Sequence, residues 1–378
     1  MNDFGPLLFW SAIALIAYVF VGYPAVLTAL GALRARPWRS ESSEPNVSIV
    51  IAAHNESVFV VSKLKNLLAL DYPVDRMEIL IGSDGSTDGT VEQMQRVSDR
   101  RVRVFVFPNR RGKAAVLNSL IPKARGEMIV LTDVRQMFDS QVLRALIRSF
   151  VDQRVGAVSG ELVTLRSNVT ASYWEYEKFV RWRECIVDSS IGVTGAVYAI
   201  RKSLFQPIPD DTILDDVLIP MRIARKGYRV VCARDAHAYD TPFASDQEFK
   251  RKVRTLTGVF QLFARERWMV NPFVNRLWWQ AVSHKALRLL VAPLQVTAFV
   301  MNLPLATHSL FYRFVLLAQM LFYSCAVAGW LLPDQRGKRT VLRFAYAFCF
   351  LSWATVHAFC RWIIHRQTVT WDRAVSSV

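Results

Sequence analysis

From Phe4 to Leu33 the chain carries no charged side chain, a run longer than the about 20 residues a helix needs to cross the hydrocarbon core of a bilayer. A cleaved signal peptide would also be apolar. Here, however, the run is too long, Asp3 stands where a basic cluster would be, and no convincing cleavage site follows. An uncleaved anchor over 4–33 is expected. Three more uncharged runs follow near the other end: Leu289 to Tyr312, Phe314 to Pro333, and Phe344 to Cys360, the last prolonged by Trp362, Ile363 and Ile364. Residues 286–364 therefore read as a C-terminal transmembrane region, with either the last span or the Leu289 segment, with its Pro293 and Pro304, open to a re-entrant or interfacial path.

Basic residues stay on the cytoplasmic side of short loops. Arg34, Arg36 and Arg39 follow the first run and Arg336, Lys338 and Arg339 follow the third, so the central segment is expected in the cytoplasm, at the inner membrane. Four spans would put Arg361, Arg366 and Arg373 outside, against the same rule, so the number of spans stays open. The net charge of +16 does not signify nucleic acid. The basic residues are spread over membrane flanks and an amphipathic segment, with no compact binding motif. Anionic membrane lipids and an anionic cofactor account for the sign. Cys185, Cys232, Cys325, Cys349 and Cys360 show no CxxC or CxxH spacing, and are expected as free thiols without zinc or a disulfide framework.

Residues 36–45, RPWRSESSEP, read as a linker. Beyond them short apolar strands alternate with helical patterns: strands at 47–53, 78–83, 102–107, 127–132 and 155–160, with helices over 63–70, 90–98, 114–121 and 142–150 between them. That rhythm predicts an α/β domain with a Rossmann-like, mostly parallel sheet and helices on both faces. Farther on, 173–184 reads as an amphipathic helix, 192–200 as a strand or extended wall, 213–228 as a helix opening on two carboxylates, and 229–233 as a strand. Residues 246–285, basic and rich in tryptophan, suit membrane-interface helices.

Ligands of such sheets bind beyond the carboxyl ends of the strands. Those ends carry His54-Asn55-Glu56, Ser83-Asp84-Gly85-Ser86, Asn109 to Lys113, and Asp133-Val134-Arg135. Each cluster alone could be turn chemistry; four on one rim point to a site. Lys113, Arg110 and Arg111 would attract an anion, and Asp84 and Asn55 could hydrogen-bond a base or ribose. No Walker-type phosphate loop and no GxGxxG is present, which argues against ATPases and dehydrogenases. Asp133 could share Mg²⁺ or Mn²⁺ with phosphate oxygens and water, since such ions take one or two carboxylates. Asp215-Asp216 could serve a helix dipole, or one of them could take a proton from an attacking hydroxyl.

Six stretches, VSIVIAAHNE, SDGSTDGT, RRGKAAVLNSLI, LTDVRQ, VTGAVYAIRKSLF and LDDVLIPMRIARKGYRVV, together resemble the membrane-bound family 2 glycosyltransferases, which include cellulose, hyaluronan and poly-N-acetylglucosamine synthases. The resemblance covers about residues 45–285 and implies a GT-A catalytic domain over 45–245. It also implies sugar transfer with inversion from a nucleotide diphosphate donor, usually UDP-linked, in exopolysaccharide or glycolipid synthesis. By motif, Asn55, Glu56, Asp84, Lys113 and Arg254 would contact the nucleotide, Asp133 the metal, and Asp216 would be the base. Gly195, Asp215 and Arg251 would lie on the acceptor side, the acceptor being a saccharide or lipid-linked molecule, with polysaccharide export proteins as potential partners. Several positions depart from the family pattern. Ser83 stands for an aspartate, Arg135 for the second carboxylate of Asp-x-Asp, Leu214-Asp215 for Thr-Glu, and only Arg254 survives of Gln-x-x-Arg-Trp. The missing tryptophan argues against cellulose-like processivity. Single transfer to a polyprenyl phosphate, and a non-catalytic nucleotide-binding membrane subunit, remain alternatives.

Overall fold

Seven consecutive buried residues, Val47–Ala53, form β1 at the middle of the α/β domain. In the computed structural model, which describes residues 4–164, 171–240, 245–332 and 340–364, seven other strands join it. They are β2 (Met77–Asp84), β3 (Val102–Phe107), β4 (Met128–Thr132), β5 (Met137–Phe138), β6 (Val155–Thr164), β7 (Tyr198–Arg201) and β8 (Arg229–Asp240). Their order is β3-β2-β1-β4-β7-β6-β8-β5. The first four in that order are parallel neighbours, as are β6 and β8, whereas β7 runs antiparallel to both β4 and β6. A sheet covered on both faces buries every side chain, which is why β1 and β4 read as unbroken apolar runs instead of alternating ones.

One face packs the helix Lys113–Leu120 and the helix Asp215–Arg225 through Leu117, Leu120, Leu218 and Met221. The other packs Val60–Leu68 and Val142–Ile147 through Leu64, Leu67, Leu143 and Leu146. The expected elements are present with changed limits. The helix expected over 90–98 stops at Gln95, and of 192–200 only the last part is strand, because Val193 to Val197 wrap the site below. β8 runs to Asp240, well past the expected Ala233, since its second half pairs with β6 and β5.

The expected free-thiol state fails for one pair. Cys185 and Cys232 form a disulfide across 47 residues of sequence, joining the helix Ala171–Val187 to β8. Their separation hides the pairing from any local spacing rule. Cys325, Cys349 and Cys360 are free.

Among the described residues, three helices are long and apolar enough to cross a membrane, at Phe4–Leu33, Leu310–Leu331 and Thr340–Ile363. A fourth candidate is bent by 57° between Trp278–Leu289 and Val291–His308. Such a bend fits a broken span as well as the re-entrant path read at Leu289. Pro304 lies inside the helix Val291–His308, and the break comes before Pro293. Phe9 and Ala12 of the first helix pack on Ala298 and Leu305. The helix Ser245–Arg265 lies against the last helix, with Val253 on Ala354 and Ala358. Asp3, Arg336, Lys338, Arg339, Arg366 and Arg373, which entered the orientation reading, lie outside the described residues.

Candidate active site

The parallel strands end on one rim, and the polar clusters expected there meet on it. Asp84, fully buried at the end of β2, accepts the backbone N–H groups of Arg111 at 2.6 Å and Gly112 at 2.8 Å, one on each carboxylate oxygen. Its own carbonyl accepts His54 Nδ1–H at 2.6 Å. Asp84 therefore holds the Asn109–Gly112 loop in place. Gly85 makes this approach possible: its φ is +61°, and a Cβ there would stand 2.6 Å from Arg110 N, a clash for any other residue in a conformation that already favours glycine.

Asn55 has a left-handed φ of 54°, a conformation that asparagine tolerates better than most residues. Its side-chain oxygen accepts Thr87 N–H at 2.8 Å, and its own N–H donates to Ser86 Oγ at 3.1 Å. Glu56 N–H donates to Thr90 Oγ1 at 2.8 Å. The SDGSTDGT segment and the HNE turn are thus laced together as one ledge beside the Asp84 loop.

Lys113, first residue of the helix Lys113–Leu120, reaches from this ledge to the next. Its Nζ lies 2.9 Å from Asp133 Oδ1 and 3.4 Å from Asp215 Oδ2. Burial disfavours its charge, but the carboxylates of Asp133 and Asp215 outweigh that and raise its pKa above the ordinary lysine value. Asp133, at the end of β4, keeps 43 % of its side chain exposed. Asp215 is buried and accepts the Tyr198 hydroxyl at 3.4 Å. Burial, then the Asp215 and Asp216 charges, holds the Tyr198 phenol well above its ordinary pKa, so it stays a donor.

Adjacent residues on a helix diverge by about 100°, and Asp216 points where Asp215 does not. Its carboxylate faces Gly195: a Cβ built there would lie 2.8 Å from Asp216 Oδ2. The backbone between is fixed by Val193 N–H donating to Asp216 O at 2.9 Å. Burial first, then the charge of Asp215 with Asp133 adding to it, pushes Asp216 up to about 6, against the opposing pull of Lys113 and Lys285. A carboxylate with a raised pKa in a cleft is suited to exchange a proton near neutral pH. Gly195→Ala should cut turnover by at least about tenfold with little change in donor KM, because the methyl occupies space used by the Asp216 carboxylate; steady-state kinetics check it.

Arg135 reaches Asp240. Its Nη2 is 3.3 Å from Asp240 Oδ1, and Gln136 Nε2 donates to Asp240 Oδ2 at 2.8 Å. Lys63, fully buried beneath this turn, donates to Thr132 Oγ1 at 3.0 Å and to the Gln136 carbonyl; burial pushes it down to about 7, with Asp133 acting against. No group of three or more His, Cys, Asp or Glu that could hold a metal occurs among the described residues. The donor set is one half-exposed carboxylate, Asp133, which fits a hard cation only when phosphate oxygens and water complete its shell.

Arg254 and Arg251 lie on the helix Ser245–Arg265. Gly258, one turn beyond Arg254, packs so closely that a Cβ there would lie 2.7 Å from Leu214 and 2.9 Å from Ile213, so this helix abuts the entry to the Asp215 helix. Arg254 Nε is buried without a hydrogen-bond partner among the described residues, a state that an incoming anion would relieve. Arg251 pairs with Glu248 at 2.9 Å and lies over Trp174. Residues the sequence reading missed are Tyr198, Asp240, Lys63 and Arg181, whose Nη1 donates to Thr194 Oγ1 at 2.9 Å beside Gly195. For Arg181 a signal existed: Tyr173, Glu177 and Arg181 repeat at helical spacing along one face.

The strand ends thus bring together a bridging lysine, a half-exposed carboxylate and a second carboxylate of raised pKa. Comparison with known proteins makes the class specific. Residues 48–204 match the model of Glycosyl transferase family 2, and residues 128–332 match that of Glycosyl transferase family group 2. The chain belongs to the family 2 glycosyltransferases and is an enzyme of that family.

It is 27 % identical over 213 residues to a probable glycosyltransferase, YdaM, of Bacillus subtilis, covering 51 % of this chain and 50 % of that one. It is 26 % identical over 195 residues to the poly-beta-1,6-N-acetyl-D-glucosamine synthase of Staphylococcus aureus, covering 49 % and 47 %. The chain thus matches about half the length of these relatives. Among solved structures, the mannosyltransferase PcManGT of Pyrobaculum calidifontis, in complex with GDP-Man and Mn²⁺, superposes with a TM-score of 0.74 at 22 % identity, over 95 % of this chain and all of that one. The fold is therefore GT-A-like, a mixed, mostly parallel sheet with flanking apolar helices.

Proposed function

We propose that the chain is an inverting glycosyltransferase that moves a sugar from a nucleotide diphosphate donor to an acceptor hydroxyl at the cytoplasmic face of the inner membrane, in exopolysaccharide or glycolipid synthesis. The observation that carries this reading is the placement of Asp216: a carboxylate near pKa 6, open toward Gly195, beside the Lys113–Asp133 pair. Asp216 takes the proton of the acceptor hydroxyl as its oxygen attacks C1 of the sugar, and the nucleotide diphosphate leaves with the bonding electrons. Asp215, held by Tyr198 and Lys113, braces the loop and keeps Asp216 turned toward the acceptor.

The ledge of Asn55 and Glu56 receives the nucleoside, buried Asp84 holds the neighbouring Asn109–Gly112 loop instead of reaching the ligand as the sequence reading expected, and Lys113 and Arg254 meet the diphosphate. Asp133 would hold Mg²⁺ or Mn²⁺ together with the donor phosphates; when bound, the ion supplies positive charge at the departing diphosphate. PcManGT in its Mn²⁺ complex supports that choice of ion. Arg135, which pairs with Asp240, stands where a second carboxylate would, leaving Asp133 as the single carboxylate of this metal site. The apolar helices would anchor the protein, with residues 4–33 and 286–364 in the membrane and 45–245 as the catalytic domain. Residues 246–285 would lie at the interface, as the exposed Phe273 and Trp278 suggest.

The test is a panel of UDP- and GDP-sugars with the full chain in nanodiscs, following nucleotide diphosphate release. One donor should give release that falls at least about tenfold when EDTA removes Mn²⁺ and Mg²⁺. Nucleotide binding without release from any donor would favour a non-catalytic subunit instead.

A further inference from the structure

The helix Val60–Leu68 turns Val60, Leu64 and Leu67 into the core on one face of the sheet, and Lys63 stands among them, fully buried. Residues three and four apart share a helix face, so an apolar side chain is the ordinary occupant of this position. A lysine is rarely enclosed in this way unless its nitrogen has polar partners. The partners of Lys63 indicate its role.

Its Nζ lies 4.0 Å from the Phe138 ring centre and donates to Thr132 Oγ1 at 3.0 Å and to the Gln136 carbonyl. Thr132 is the last residue of β4, and Gln136 directly precedes β5. Lys63 therefore joins the two ends of the loop that carries Asp133. The Thr132 hydroxyl, accepting from Lys63, donates in turn to the Asp133 carbonyl at 3.2 Å. A chain of hydrogen bonds thus runs from the core to the backbone of a residue whose carboxylate stands half-exposed on the rim, 2.9 Å from Lys113.

The strand β5 is held independently of this contact. Asn66, on the same helix, accepts Phe138 N–H at 2.8 Å and donates to the Phe138 carbonyl at 2.9 Å. The helix is also fixed at its start, where the N–H groups of Phe59 and Val60 donate to the Glu56 carbonyl at 3.0 Å. What Lys63 adds is the aim of the loop. We infer that Lys63 is a positioning residue for the metal-binding carboxylate: through Thr132 and Gln136 it keeps Asp133 turned to the rim. One rigid helix then sets the spacing between the Asn55–Glu56 ledge and that carboxylate. The inference rests on the reading of Asp133 as the ligand of Mg²⁺ or Mn²⁺.

The experiment measures Mn²⁺ affinity calorimetrically on the full chain in nanodiscs, saturated with UDP or, in parallel, with GDP. It compares the parent with Lys63→Met, Asn66→Ala and Asp133→Asn. Methionine keeps an unbranched stem against Phe138 without the donor nitrogen. Removing a group that orients a metal ligand weakens metal binding by about 10- to 100-fold. Lys63→Met should fall in that range, with nucleotide affinity in EDTA unchanged. Asn66→Ala loses two hydrogen bonds from the same helix, so its thermal midpoint should drop while its Mn²⁺ affinity stays parental. Parental Mn²⁺ affinity in folded Lys63→Met would overturn the inference, as would an equal loss in Asn66→Ala, since general loosening would then account for both. If Lys63→Met does not fold, Thr132→Val decides, because it removes the hydroxyl relay but keeps the shape of the side chain. Its Mn²⁺ affinity should fall at least about threefold, and parental affinity there would overturn the inference. Asp133→Asn separates the inference from the reading beneath it. Loss of Mn²⁺ in that variant with none in Lys63→Met sinks this inference alone, whereas Mn²⁺ binding that survives Asp133→Asn sinks the metal reading and the inference with it.

Discussion

Asp216→Asn should lower sugar transfer by roughly 100- to 10,000-fold, the range a positioned general base contributes, while donor affinity changes little. The side chain keeps its size beside Gly195 but can no longer accept a proton. The pH profile gives an independent check. In the unaltered enzyme Asp216 must be ionised to act, and burial with the Asp215 charge raises its pKa to about 6, so turnover should rise as pH increases through about 6 and level off above it. In Asp216→Asn that limb should vanish. The stability sign is opposite to that of a salt-bridged aspartate. A carboxylate whose folded pKa is raised binds its proton more tightly when folded, so its ionisation opposes folding above the unfolded value. The asparagine variant should therefore match or exceed the parent in thermal midpoint at neutral pH. A lower midpoint with proportionate loss of transfer would point to a structural role.

Asp84→Ala should be the most damaging substitution on the donor side. The buried carboxylate accepts two backbone N–H groups of the Arg111–Gly112 turn. Hydrogen bonds to a charged group contribute about 1.5–3 kcal/mol each, and leaving buried donors unmet carries its own penalty, so a loss of about 3–6 kcal/mol is expected. Denaturant titration measures it. Donor affinity should fall at least about tenfold in whatever fraction folds, because the loop that delivers Lys113 is released. Asp84→Asn should recover little, since its amide group would face one of the two N–H donors. An alanine variant with parental stability and donor KM would show that the loop is held by other means.

The strand rhythm and the polar strand ends were legible because a doubly covered parallel sheet writes itself as apolar runs closed by site residues. Asp84 shows where the reading reached its limit. Its position was recovered, but its two backbone partners depend on how the Asn109–Gly112 loop folds back, which composition does not encode. Arg135 was conspicuous as a missing carboxylate, yet its partner Asp240 lies 105 residues away on a strand whose length pairing with β5 and β6 determines. The Cys185–Cys232 bond is hidden for the same reason. Arg181 was visible as part of a polar stripe, but nothing local says that the stripe faces Thr194 and Gly195 instead of solvent.

The reversed strand β7 has a consequence for how such an enzyme can change. Because β7 enters the sheet from the rim where β4 leaves it, the chain must pass over the mouth of the site before descending, and that passage carries Gly195. On the proposed reading, the donor side lies at or before Asp133 except for Arg254, and the acceptor side comes later in the chain. The two halves share a rim but little sequence. New acceptor preferences can thus arise by rebuilding the second half while the first keeps its donor.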